Sequence, residues 1–167
     1  MTSSTLSPAL DVTRKVVEAL AASPQIAALI TNDPDAATGG EPAPDLIGSS
    51  IFDYMPVSPG DSPTGDVLIG VETELLSRPT ATMQEWQIRL GIFVRRSAME
   101  VDQSLPGGYG NRRDRLVAAA DALLSGSREF GVGILWPESC ETVEAPDGFS
   151  GRETLYRFSR PLHPGGF

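Results

Sequence analysis

Apolar residues recur at a spacing of four near the start of the chain, at Val12, Val16 and Leu20, with Val17 widening the stripe. That spacing predicts a helix with one buried face. Ser7 can cap it, Pro8 fits its first turn, and Asp11 suits the positive end of its dipole. Ser23-Pro24 repeats the cap-and-proline signal and predicts a short second helix from Gln25 to Ile30. From 31 to 49 the chain is rich in Pro, Gly, Asp and Ala without periodicity, the mark of a long loop.

The period then changes from helical to alternating. Ile51 to Tyr54 reads as a short strand that Pro56 ends, and 57–65 is a second Pro/Gly/Ser segment. Val67, Ile69 and Val71 face one way along the next strand while Glu72 and Glu74 face the other, and Ser77 to Thr82 is read as a turn through Arg78-Pro79. The clearest strand follows, with Trp86, Ile88, Leu90, Ile92 and Val94 on one face and Gln87, Arg89, Gly91 and Arg95 on the other. Phe93 is an exception on the polar side. A flexible connection at about 97–111 leads into a helix from Arg112 to Leu124, with Leu116, Ala120, Leu123 and Leu124 on its buried face and Ser125-Gly126 as its stop. Phe130, Val132, Ile134 and Trp136 alternate again. Two further strands, Glu141 to Ala145 and Thr154 to Arg160, are joined by the turn Ala145-Pro146-Asp147-Gly148.

The order is helix, three strands, helix, three strands. It predicts a single α+β domain over 1–167: a mostly antiparallel sheet with two main helices packed on one face. A length of 167 residues suits one domain with one sizeable core, and the 14 prolines and 17 glycines agree with long loops.

Composition removes several kinds of chemistry. No apolar run approaches the roughly 20 residues needed to span a bilayer, and the start of the chain lacks the pattern of a signal peptide, so the chain is expected to stay in the cytosol where it is made. Cys140 is the lone cysteine and His163 the lone histidine, too few for a Cys/His zinc site. A nucleophile–histidine arrangement would have to use His163, in a Pro/Gly tail that supports a base poorly, so a solvated histidine is expected there. The net charge of −9 argues against a general nucleic-acid binder, and Lys15 is the only lysine. The positive charge is therefore nearly all arginine, the cation favoured at interfaces.

Four groups of residues invite a functional reading. Glu72 and Glu74 share a strand face, as acid–base pairs do, yet a solvated strand end accounts for them; a small acidic hydrolase is the corresponding alternative function. Asp33 and Asp35 lack the spaced oxygen series of a calcium loop. Gly107-Gly108-Tyr109-Gly110 opens a helix but meets neither nucleotide fingerprint. Arg112, Arg113 and Arg115 put three positive charges in the first helical turn, where the dipole disfavours them. They read as a solvated helix start, as contacts to carboxylates of another subunit, or as contacts to a DNA backbone. On the second reading, replacing all three by glutamine leaves the isolated domain as stable as before or slightly more so.

Val16-Val17-Glu18-Ala19-Leu20, Ile26-Ala27-Ala28-Leu29-Ile30, Ile51-Phe52-Asp53-Tyr54-Met55-Pro56 and Val67-Leu68-Ile69-Gly70-Val71-Glu72 follow one another as helix, strand, proline-bearing gap and strand. With Trp86 to Arg95 and Arg112 to Gly126, this series resembles the tail-terminator, or tail-completion, proteins of long-tailed bacteriophages. Thr64-Gly65-Asp66 stands where that family commonly has an aromatic residue. The resemblance implies a structural virion protein of the tail and neck. It would form a homohexameric ring that caps the tail tube, contacting the major tail tube protein on one side and the head connector or stopper on the other. DNA would pass the lumen without specific binding. No catalytic residue, cofactor, metal or membrane is implied, and Arg112, Arg113 and Arg115 would lie at the subunit interface. The alternative within the same class is a head–tail connector or stopper.

Overall fold

The stripe Val12, Val16, Val17 and Leu20 is buried along α1 (Ser7–Ala22), and Ser23 turns the chain directly into α2 (Pro24–Thr31). Ser23 Oγ accepts the amide of Ile26 at 3.4 Å, and Pro24 stands where a missing N–H has no consequence. These positions come from a computed structural model, which describes residues 7–38, 45–102, 104–105 and 110–161. The expected Ser7 cap and Pro8 first turn fall on side chains outside those described, as do His163 and Gly107 to Tyr109.

A single turn, α3 (Asp35–Thr38), follows. The strands are β1 (Ile51–Phe52), β2 (Val67–Thr80), β3 (Met83–Arg95), β4 (Trp136–Val143) and β5 (Phe149–Pro161), and α4 (Arg112–Leu124) connects the two runs. The sheet order is β1-β2-β3-β5-β4. β1 pairs with β2 in parallel, and every other pairing is antiparallel. The fold is α+β with a mostly antiparallel sheet, as the pattern predicts.

The helices cover one face. Trp86, Ile88, Leu90, Ile92 and Val94 of β3 bury with Tyr156 and Phe158 of β5 beneath residues of α1, α2 and α4. Trp86 stacks on Phe158 with ring centroids 6.4 Å apart, and Tyr156 donates its hydroxyl hydrogen bond to Asp121 of α4 at 2.8 Å. Burial, together with that carboxylate, pushes the Tyr156 phenol far above its ordinary range.

The other face explains Phe93. It buries in a second, smaller cluster with Leu68 and Phe149, against which Met55 and Val57 pack. The segment after β1 thus lies over the sheet, and it does so closely. A Cβ on Gly70 would meet Tyr54 O and Pro56 Cδ at 2.7 Å, and one on Gly91, the cross-strand partner of Gly70, would meet Phe93 at 2.9 Å. Arg95 ties the far end of that segment down, through Asp66 at 3.1 Å and the carbonyls of Pro63 and Gly65, while lying 4.7 Å over the Phe149 ring.

Three local readings are corrected. The segment Phe130 to Leu135 is not a strand: Gly131 and Gly133 take φ of +75° and +88°, so the chain bends while Phe130, Val132 and Leu135 still bury, and the strand begins only at Trp136. The second run accordingly holds two strands, β4 and β5. Ser77 to Thr82 is not all turn, because β2 continues through Arg78 and Pro79 to Thr80 and reverses at Ala81-Thr82. Leu123 lies at the exposed margin of α4, and Ala119 takes the buried place instead.

Candidate functional site

The arginine cluster is built at the start of α4. Asn111 caps the helix, its Oδ1 accepting the amide of Asp114 at 2.9 Å while its Nδ2 donates to Asp114 Oδ2 at 3.1 Å. Arg112 then turns inward. Its guanidinium donates to the carbonyls of Leu29 at 2.6 Å and Ile30 at 2.7 Å, in the last turn of α2, and to Ala98 at 3.2 Å. The cation that opposes the dipole of its own helix therefore sits at the negative end of another. Burial draws the Arg112 guanidinium below its ordinary pKa, with Asp66 acting the other way.

Arg115 is 2% exposed and donates to the carbonyl of Leu105, fastening the connection that precedes α4. Arg113 reaches Asp114 at 2.9 Å and donates to Ser150 Oγ of β5 at 2.5 Å. The premise of three exposed cations does not hold, since Arg112 and Arg115 are buried within the chain. The expected indifference of stability to a triple glutamine replacement is reversed with it. Periodicity missed this because both positions share the helix face of Leu116 and Ala119, and charged residues are by default assigned to solvent.

Glu72 and Glu74 do lie on one strand face, away from the helices. Glu72 accepts the amide of Met55 at 3.0 Å and the Arg89 guanidinium at 3.2 Å, and Arg89 also pairs with Glu153 at 2.8 Å. Both glutamates border an open polar depression of about 350 Å³ that also contacts Asp53 and Thr13. Asp33 accepts the amide of Asp35 at 2.9 Å and thereby starts α3. Among the described residues, no three His, Cys, Asp or Glu side chains are grouped to hold a metal, and no helix is long and apolar enough to cross a membrane.

The surfaces that stand out are the two margins of the sheet. β1 covers β2 only at Ile69 and Gly70, so the outer edge of β2 from Val71 onward has no strand beside it among the described residues. From Glu74 to Thr80 every position of β2 is exposed, Leu75 (38%) and Leu76 (37%) included. At the opposite margin α4 covers β3 and β5 but leaves a groove of about 470 Å³ against β4, floored by Val117, Ala118, Pro137 and Cys140. Trp136, at the start of β4, is 60% exposed. The sequence signal for the first margin is the adjacent pair Leu75-Leu76, which breaks the alternation of β2. No signal marks the groove, because it forms between elements distant in the chain.

The chain matches the YomW family over residues 23–158, from the start of α2 to within β5, and it belongs to that phage-derived family. No curated protein matches it.

Proposed function

We propose that the chain is a tail terminator, a structural virion protein whose copies form a hexameric ring that caps the tail tube and joins it to the head connector. Membership of a phage-derived family supports the setting. The observation that carries the reading is that one sheet ends in two unlike exposed margins, a hairpin bearing leucines and a groove between α4 and β4. Contacts between unlike surfaces repeat head to tail, and they close into a ring when the rotation permits.

The net charge of −9 suits a lumen that DNA crosses without being held, since like charges repel. The major tail tube protein and the connector or stopper are the expected neighbours, in the virion neck and, during assembly, in the host cytoplasm. No catalytic step, metal or cofactor enters this function.

An amber mutation in the gene, followed by electron microscopy of the lysate, tests the reading. The expected result is tails of uncontrolled length beside DNA-filled heads that never join them. Tails of normal length beside leaking heads would sink the terminator and favour a connector or stopper. A neck reconstruction should count copies in a multiple of six.

A further inference from the structure

Large apolar side chains and free cations are both scarce on this surface, and both sort by margin. Leu10, Ile47, Tyr54, Leu75 and Leu76 are exposed at the α1–β1–β2 margin, and Leu123 and Trp136 at the opposite one. A groove of about 260 Å³ runs between α1 and β1, lined by Val17, Ile51, Phe52 and Tyr54, and Asp53 separates it from the polar depression that holds Leu10 and Glu74. Arg14 and Glu18 at its rim pair with each other at 2.8 Å, and Glu72 pairs with Arg89 at 3.2 Å. Asp53 and Glu74 are exposed without an ion pair among the described residues, Glu74 sensing Arg89 only at longer range. This margin therefore offers aromatic walls beside two carboxylates left without a close counter-charge.

The complement stands at the far side. Trp136 is 60% exposed, more than any other large apolar side chain among the described residues. The Gly126 amide donates to the Leu135 carbonyl at 2.8 Å and the Leu135 amide to the Ser127 carbonyl at 3.2 Å, which holds Arg128 and Trp136 at one corner. The exposed arginines without an ion pair among the described residues are Arg78, Arg96 and Arg128. Arg78 sits on the β2–β3 hairpin arm of the first margin itself, so a contact through it would join like to like and stop at two chains. Arg96 shares its depression with Glu144 and Asp147 and has no exposed large apolar side chain beside it. Arg128 is left.

We propose that Trp136 of one copy seats in the α1–β1 groove of the next, against Phe52 and Tyr54, with Arg128 turned toward Asp53 and Glu74. This rests on the ring reading and supplies its repeating contact. The groove is smaller than the roughly 300–1,000 Å³ of small-molecule sites and suits one inserted side chain. Trp and Arg are among the side chains that most often anchor contacts between proteins. Four strand spacings, about 19 Å, separate β1 from β4, so no chain fills its own groove.

Trp86 is buried, so quenching of the intrinsic fluorescence by acrylamide follows Trp136. On assembly the emission should shift to shorter wavelength and the quenching should fall. Trp136→Ala should leave the melting temperature unchanged, weaken association about thirtyfold and fail to complement in infection. Arg128→Asp and Asp53→Arg should each weaken association too, and the two together should restore hexamers in native mass spectrometry and infectious particles. Glu129, exposed beside Arg128, opposes the fit, so Glu129→Gln should tighten the contact, and a weakening would overturn the docking. Hexamers that survive Trp136→Ala, whether or not it complements, would overturn the docking and leave the ring reading standing. A charge swap no better than either single change would overturn the docking as well. A copy number in the neck other than a multiple of six would overturn both.

Discussion

The start of α4 and the distal half of β2 both place residues where local physics disfavours them, and the chain treats the two differently. Arg112, Arg113 and Arg115 oppose the dipole of their helix, but each finds a partner in the same chain: carbonyls of α2, the carbonyl of Leu105, and Asp114 with Ser150. Leu75 and Leu76 are partly exposed on a strand that pairs with β3 on one side and has no strand along its outer edge among the described residues. A locally unfavourable residue signals that a partner exists without saying whether it lies inside the chain. At the arginines the misfit stabilises the monomer. At the leucines the apolar surface stays partly exposed, and the proposed ring would cover it.

The largest expected effect breaks the first half of that comparison. Arg112→Gln shortens the side chain away from the last turn of α2 and strands buried carbonyls. Each stranded acceptor costs about 1–3 kcal/mol, so a loss of roughly 2–4 kcal/mol is expected, read as a lowered urea midpoint with an unchanged slope. A variant as stable as the parent would return the arginines to the role of a solvated helix start.

A smaller effect comes from Tyr156, which links α4 to β5 beside the groove. Its phenol is raised in the folded chain above an ordinary value of 10.0, by burial first and then by the hydrogen bond to Asp121. A group with a raised folded pKa contributes stability that is fully present below the unfolded value and is lost as pH rises beyond it. Stability from this group should therefore be flat through neutral pH and fall above about pH 10. Tyr156→Phe should lose about 1 kcal/mol at pH 7 and abolish its share of the alkaline fall. Melting curves of both proteins from pH 7 to 11 check this, and an identical alkaline slope in the variant would contradict it.

The smallest effect on stability sharpens the second half. Leu75→Ser with Leu76→Ser should change the stability of the isolated chain by no more than about 0.5 kcal/mol, because exposed positions away from special features rarely exceed that. The same double variant should lose oligomers in native mass spectrometry and fail to complement in infection. A stability loss comparable to that of Arg112→Gln would show that the arm packs within its own chain.

Much of this architecture was legible along the chain because it depends on neighbours close in sequence. The α1 stripe, the Ser23 cap, the alternation of β3 and the bounds of α4 follow from periodicity and end signals, and together they imply an α+β sheet under helices. Other features depend on residues far apart, and only the tertiary structure decided them. Phe93 buries on the polar face because the segment after β1 folds back over Gly70 and Gly91. Arg112 buries because the end of α2, 82 residues away in sequence, presents its carbonyls there. The groove beside β4 exists because the strand order sets β4 beyond the reach of α4, a matter of topology that no local spacing encodes.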